Sequence, residues 1–462
     1  MKVFALLLSL AIPASAQELV RAIELPRATM RELAAIPMRE QPRVIEQRWL
    51  PPFASARVLD SFGESVVVAT NANGAAPPPA TVFSADTSQE LSPADASGAV
   101  GPQHVVGASN AGIVVQTRAG AAVARVTLSQ FWFSSARAAT YYDPRVIYDA
   151  QYDRWVVMSI FDEKAVMLAI SESGDPAGAW RRYQINEYGA DYAQLVLAGD
   201  SIVAGTTYWE TLRSYFFLIS RATAYSNPAT LTATRVDSGI SNATPVESAT
   251  QKWMVEANSR DISWRPLDAS TPWRTLAAPA GLGSPYEAAL PQAGRTLDAG
   301  YGLAETAVER DGRIYIVADR VLYPSAQHIV QWCRLDPVAG VATWGTIVDP
   351  DPNVSYGYPS LAINKSGAML IGFGIFSKTT YPSSGYVYRD VVGNWSQVAR
   401  MVTGDSAFKY NDRWGDYTST IVDPADASTF WTLQMHTRAG TWETSWGRVS
   451  PPGSSKRRTA RH

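Results

Sequence analysis

The sequence predicts an all-β protein, a seven-bladed β-propeller of four-stranded antiparallel blades whose ring is closed by an N-terminal strand. Composition is the first observation behind this. The 462 residues include 32 Gly, 29 Pro, 15 Trp and 21 Tyr, which fits many short strands joined by turns. The second is a repeat. From about residue 90, an apolar run, a polar turn and a second apolar run recur, as in "DPRVIYDAQYDRWVVMSI" (143–160) and "YPSLAINKSGAMLIGF" (358–373). The third is its spacing. The second runs begin near Val105, Trp155, Ile202, Trp253, Ile314, Met369 and Phe430, in steps of 50, 47, 51, 61, 55 and 61 residues. A period near 50 marks a repeat architecture, because one such sheet is apolar on both faces and needs a neighbour on each side.

The elements follow in chain order. Residues 1–16 read as a secretory signal peptide, with Lys2, an apolar core and an Ala14-Ser15-Ala16 cleavage pattern. A secreted or periplasmic protein is therefore expected, and no later stretch is apolar for the roughly 20 residues a membrane span needs. Residues 17–80 read as a flexible arm and linker, with a short helix between Pro26 and Pro37. Residues 81–450 form the propeller, and 451–462 a disordered basic tail. In the second blade the strands are expected at 145–148, 154–160, 165–171 and 180–185, with Trp155 as a plug between blades. The last blade lacks a fourth strand, so "SVVVAT" (65–70) or "TVFSAD" (81–86) should supply it from the N-terminal side. A monomer is expected.

The turn "SESGDPAGAW" reads Ser173-x-Asp175-x-x-Gly178-x-Trp180 and resembles the Asp-box of sialidase-like (BNR-repeat) propellers. Weaker echoes end in Trp273, Trp344 and Trp395. In that family the Asp is structural and ties the turn to backbone N–H groups. "GAVGPQHVV" (98–106), "YDPRVIYDAQYDRW" (142–155) and "DRWGDYTSTIVDP" (412–424) are similar to segments of exported bacterial propeller proteins. The resemblance implies the fold; function must come from a site.

Charge excludes some functions. With 40 basic and 42 acidic residues there is no basic excess for nucleic acid. The four His are scattered without ligand spacing, so neither a metal nor another cofactor is expected. "DPADAS" (423–428) and "DPDPN" (349–353) do not match a calcium loop and read as ordinary turns. Ser201 has no nearby His, and the single Cys333 lies in an apolar run as an inert thiol.

The positive signal is positional. Residues entering each inner strand should line one mouth of the central channel: Asp143, Arg145, Tyr192, Glu305, Tyr358, Arg413, Trp414 and Asp416. Aromatic faces beside charged groups suit a carbohydrate or a cell-envelope polymer, giving a binding or scaffold module as the leading function. The alternative is a glycoside hydrolase of sialidase-like type, for which the resemblance makes Arg145, Arg413, Asp143, Asp416, Tyr417 and Glu305 candidates, although the Arg-Ile-Pro motif of sialidases is absent. The plainer reading is that these Asp and Arg pair with each other and with backbone groups to hold the blades in register.

Overall fold

The computed structural model describes residues 18–35, 74–88, 91–132, 140–208, 210–211, 213–268, 270–284, 288–300, 302, 304, 306–410 and 412–452. The signal sequence, the strand candidate 65–70, Glu305 and tail residues 453–462 lie outside them.

The protein is all-β and mostly antiparallel. Strands β1 (Glu18–Thr29) and β2 (Pro79–Ser88) flank helix α1 (Met30–Ala34). Four-stranded groups then follow. The first is β3 (Ser97–Val100), β4 (His104–Ser109), β5 (Gly112–Thr117) and β6 (Ala122–Val126), trailed by α2 (Leu128–Trp132). The second is β7 (Tyr141–Asp149), β8 (Arg154–Phe161), β9 (Ala165–Ser171) and β10 (Ala179–Asn186). The third is β11 (Asp191–Ala198), β12 (Ser201–Tyr208), β13 (Arg213–Ser220) and, after α3 (Arg221–Tyr225), β14 (Leu231–Asp237). The fourth is β15 (Thr244–Pro245), β16 (Trp253–Ala257), β17 (Asp261–Pro266) and β18 (Arg274–Ala277).

Next come β19 (Leu282–Gly283) and an inserted hairpin, β20 (Leu290–Gln292) and β21 (Arg295–Leu297). The fifth group is β22 (Thr306–Arg310), β23 (Arg313–Leu322), β24 (Gln327–Asp336) and β25 (Val341–Ile347), with β19 added to β23. The sixth is β26 (Val354–Ile363), β27 (Met369–Ser377), β28 (Thr380–Arg389) and β29 (Ala399–Val402). The last is β30 (Ser419–Val422), β31 (Phe430–Arg438) and β32 (Thr441–Val449), completed by β2 pairing antiparallel to β32. The expected second-strand starts fall within one residue of the observed ones, and the expected strand 81–86 lies inside β2.

First strands of successive groups touch in chain order, β3 to β7, β11, β15, β22, β26 and β30, and β30 returns to β3. Parallel bridges Ala198↔Ser248 and Glu247↔Val308 show neighbouring first strands running in one direction. Apolar clusters sit between consecutive groups. Trp155 and Val157 of the second pack with Val106 and Ile113 of the first, and Trp446 and Leu433 of the last pack with Val100 and Val105 of the first. Each wholly buried Leu, Ile, Val or Phe in these clusters contributes about 1.5–3 kcal/mol. Gly101 lets the Trp155 ring lie against the backbone, since a Cβ there would meet it at 2.6 Å.

The arm departs from its expectation. Residues 18–29 form β1, which pairs with β10 on one side and β14 on the other and so fuses two groups into a nine-stranded sheet. Its alternation is weak because most of its side chains stay in water; the backbone ladder holds it. The short helix expected between Pro26 and Pro37 is α1, opened by a Thr29–Glu32 capping box. The Asp-box-like carboxylates close turns between third and fourth strands: Asp175 accepts from the Ala177 N–H, Asp268 from Ser270 and Thr271, Asp336 from Val338 and Ala339, and Asp390 from Val392 and Asn394.

Candidate functional site

Just before or within the first half of each first strand the chain passes through positive φ: Asp95 (48°), Asp143 (52°), Tyr192 (52°), Asn242 (62°), Gly302 (66°), Tyr358 (54°) and Gly415 (148°). Left-handed non-glycine residues persist only where surroundings over-determine them. At Asp143, Tyr192 and Tyr358 they sit in β-bulges, where the ladder skips from Tyr142 to Arg145, Asp191 to Gln194 and Gly357 to Ser360. Around the axis, Ser97, Arg145, Gln194, Thr244, Ala304 and Thr418 line a cavity of about 120 Å³.

The surroundings that fix this geometry are polar groups reaching from one sheet to the next. Asn110 Oδ1 accepts the Asp143 N–H at 2.9 Å, and Asp319 Oδ2 accepts the Tyr358 N–H at 2.9 Å. Asp95 Oδ1 takes the Asp416 N–H at 2.8 Å, Asp298 Oδ1 takes the Trp414 N–H at 2.9 Å, and Asp143 Oδ2 takes the Ala193 N–H at 3.4 Å. Each satisfies an otherwise unpaired buried donor.

Asp143, Tyr192, Tyr358, Trp414 and Asp416 are all buried. Arg413 clasps Asp416 with Nη2 at 2.9 and 3.1 Å and lies with Nε 3.3 Å from Asp298. Trp414 packs edge-on against Phe376 and Phe408, beneath Leu290 and Leu297 of the inserted hairpin. Tyr358 donates its hydroxyl to the Asp298 carbonyl at 3.1 Å. Arg145 donates Nε to the Ala193 carbonyl at 2.7 Å, and its guanidinium lies 3.4 Å from the centroid of the Tyr417 ring. Tyr417 donates its hydroxyl to Asp143 Oδ2 at 3.0 Å, and the Tyr192 ring lies tilted against it with centroids 5.0 Å apart.

Electrostatics follow from this burial. Burial, then the nearby Asp191 and Asp416 charges, push the Asp143 carboxyl up to about 7. Burial also raises Asp298 and Asp319 to about 7, and lifts Asp95 well above the carboxylate range with Asp416 and Asp143 adding to it. Asp143 Oδ1 and Asp319 Oδ1 are buried with no hydrogen-bond partner among the described residues, the environment that disfavours their charge. Cys333 is buried and its thiol is pushed far up by burial.

The sequence therefore brings Asp143, Arg145, Tyr192 and Tyr417 into one cluster and Tyr358, Arg413, Trp414 and Asp416 into another. Neither is an open groove. Among the described residues no group of three His, Cys, Asp or Glu has metal-binding geometry. In "DPDPN" the carboxylates close the turn, with Asp349 accepting from the Asp351 N–H and Asp351 from Asn353. In "DPADAS", Asp423 pairs with Arg118 and accepts from Trp431 Nε1.

Sequence reasoning passed over the exposed aromatic residues. Among the described residues these are Tyr188, Tyr323, Tyr381 and Tyr410. Tyr188 and Tyr410 lie on connections into a first strand; Tyr323 and Tyr381 lie at turns between second and third strands. Antiparallel order puts all four at the end of the sheets where the first strands begin. A signal existed: each stands within two residues of Gly, Pro or Asn in a turn.

No protein-family model matches the sequence, and no curated protein matches it. Among solved structures, similarity extends to an exo-β-1,3-galactanase from Clostridium thermocellum (10% identity over 80% of this chain and 100% of that one, TM-score 0.33). It extends also to the SapL1 lectin in complex with α-methyl fucoside (11%, 68% and 97%, 0.40) and a Trypanosoma rangeli sialidase in complex with sialic acid (12%, 76% and 59%, 0.36).

Proposed function

We propose that this is an exported seven-bladed β-propeller that binds carbohydrate on a cell-surface or cell-envelope polymer, through the face on which its first strands begin. Seven blades are supported by the closed circuit of first-strand contacts and by the apolar cluster between each pair of neighbouring sheets. Export is supported by the pattern of residues 1–16.

One observation carries the binding reading: among the described residues the exposed aromatic side chains are four tyrosines, and all four stand on that one face. A tyrosine offers a flat apolar ring to the C–H face of a sugar and a hydroxyl to its polar rim. The mouth carboxylates point away from hydrolysis. Asp416 is spent on Arg413, and Asp143 is sealed beneath Tyr417. The axial cavity, about 120 Å³, falls below the roughly 300–1,000 Å³ of ligand pockets.

The test has two arms. Affinity electrophoresis of the mature chain through gels containing soluble polysaccharides should show retardation. A panel of chromogenic glycosides should show no turnover. Turnover that disappears in Asp416→Ala would establish the hydrolase instead.

A further inference from the structure

We infer that the rim between the sheets β26–β29 and β30–β32 is a binding site for an acidic polysaccharide, one bearing uronate or sulfate groups. The inference rests on the carbohydrate reading above and names the ligand class and the residues.

Three turns converge on this rim. The β20–β21 turn donates the Ala293 N–H to the Thr380 carbonyl at 3.2 Å. From the same turn, Gln292 Oε1 accepts the Phe408 N–H at 2.9 Å, and Arg295 Nη1 donates to the Phe408 carbonyl at 3.5 Å. The connection from β29 to β30 is tied down in turn. Its Gly404 N–H donates to Ser383 Oγ at 3.0 Å and its Lys409 N–H to the Gly440 carbonyl at 3.0 Å. Beneath, Leu290, Leu297, Phe408 and Trp414 form one buried cluster. The turns are thus held in a fixed mutual arrangement, which limits the ordering cost of binding.

The turns carry Lys378, Tyr381, Arg295, Lys409 and Tyr410, all exposed. The lysines set this place apart. Five of the chain's seven are described. Lys164 pairs with Asp162, Lys252 with Asp200, and Lys365 donates to the Asp426 carbonyl. The two whose ammonium groups have no partner among the described residues are Lys378 and Lys409, on this rim. Asp405 nearby is occupied by the Ala439 N–H and the Ser406 hydroxyl, leaving Asp412 as the exposed acid of the same connection. In a chain of net charge −2, two free ammonium groups and a guanidinium beside two exposed rings match an acid-bearing sugar chain. Its anions meet the cations and its C–H faces meet the rings. Each contact is weak when exposed to water, and a polymer sums many of them.

The test uses the mature chain with polygalacturonate, neutral dextran and sugar-free polyacrylate as probes, with affinity electrophoresis and titration calorimetry as readouts. Polygalacturonate should bind, and Lys378→Glu/Lys409→Glu should weaken it at least tenfold with an unchanged melting temperature. Tyr381→Ala/Tyr410→Ala should weaken polygalacturonate several-fold and leave polyacrylate unchanged. Polygalacturonate affinity that survives the charge reversal overturns the site. Polyacrylate binding equal to polygalacturonate, with no effect of the tyrosine variant, overturns the sugar component. Binding to dextran alone overturns this inference and leaves the carbohydrate reading standing. Binding to no polysaccharide overturns both.

Discussion

The mouth has two arcs of different construction. Toward β26, β30 and β3 it is sealed: Arg413 lies between Asp298 and Asp416, Asp95 and Asp319 cap neighbouring backbones, and the β20–β21 hairpin covers Trp414 and Tyr358. Toward β7, β11 and β15 no inserted hairpin covers it among the described residues, although Asp143, Tyr192 and Tyr417 are buried there too. Arg145, Gln194 and Thr244 face the axial cavity, and no carboxylate pairs with Arg145 at ion-pair distance among the described residues. Residues at strand entries thus serve two ends. Where an insertion lies above, the arginine is held between buried carboxylates; where none does, Arg145 stays half-buried beside the axial cavity.

The sharpest way to break this comparison is Arg413→Met. It leaves the buried Asp416 and Asp298 without their cation, and losing one member of a buried pair costs about 3–5 kcal/mol. Urea unfolding reads the loss. A cost below about 1 kcal/mol would mean the sealed arc is not held by charge.

Next comes the cover. Leu290→Ala empties a wholly buried site over Phe376, Phe408 and Trp414, with an expected cost of about 2–5 kcal/mol. Quenching of tryptophan fluorescence by acrylamide should rise as Trp414 is uncovered. Unchanged quenching would show the ring shielded by something other than the hairpin.

How far the two arcs were legible follows from the chain's period. Continuous apolar runs such as β8 and β9, buried on both faces, and the turn residues between strands recur along the chain, so strand positions could be read directly from residues such as Trp155 and Met369. The sealing could not. It depends on side chains hundreds of residues apart, Asp95 with Asp416 and Asp298 with Trp414, which no local pattern links. Yet the longest repeat steps, 61 residues each, end at Ile314 and Phe430. The extra length in them is the β20–β21 hairpin and the connection carrying Phe408 and Arg413. β1 was missed for a different reason. Its partners are backbone groups of β10 and β14, and Leu19 and Ile23 remain exposed, so periodicity gave no sign of a strand.

A proton links the arcs. Burial sets the folded Asp143 carboxyl near 7, above its ordinary value of 3.8. Below about pH 4 both folded and unfolded chains hold the proton and nothing is lost. As pH rises toward 7 the unfolded carboxyl ionises freely while the folded one resists, so the native state loses stability across that window and levels off above it. Asp143→Asn keeps an acceptor for Tyr417 and removes the ionisation. Its stability relative to wild type should climb by roughly 2–4 kcal/mol between pH 4 and 7.5. A difference that stays flat with pH would place the Asp143 proton elsewhere.

The smallest effect belongs to the uncovered arc. Arg145→Met keeps the long apolar stem and removes one hydrogen bond to the Ala193 carbonyl and the cation above Tyr417. Arg145 is half-buried over the buried Tyr417 ring, where a cation–π contact is worth about 1 kcal/mol and a neutral hydrogen bond about the same, and no buried carboxylate is left unpaired by the change. The expected loss in urea unfolding is therefore about 1–2 kcal/mol, smaller than that for Arg413→Met. Both arginines stand near strand entries, so equal losses would mean that cover by the hairpin makes no energetic difference, and the division into a covered and an uncovered arc would fall.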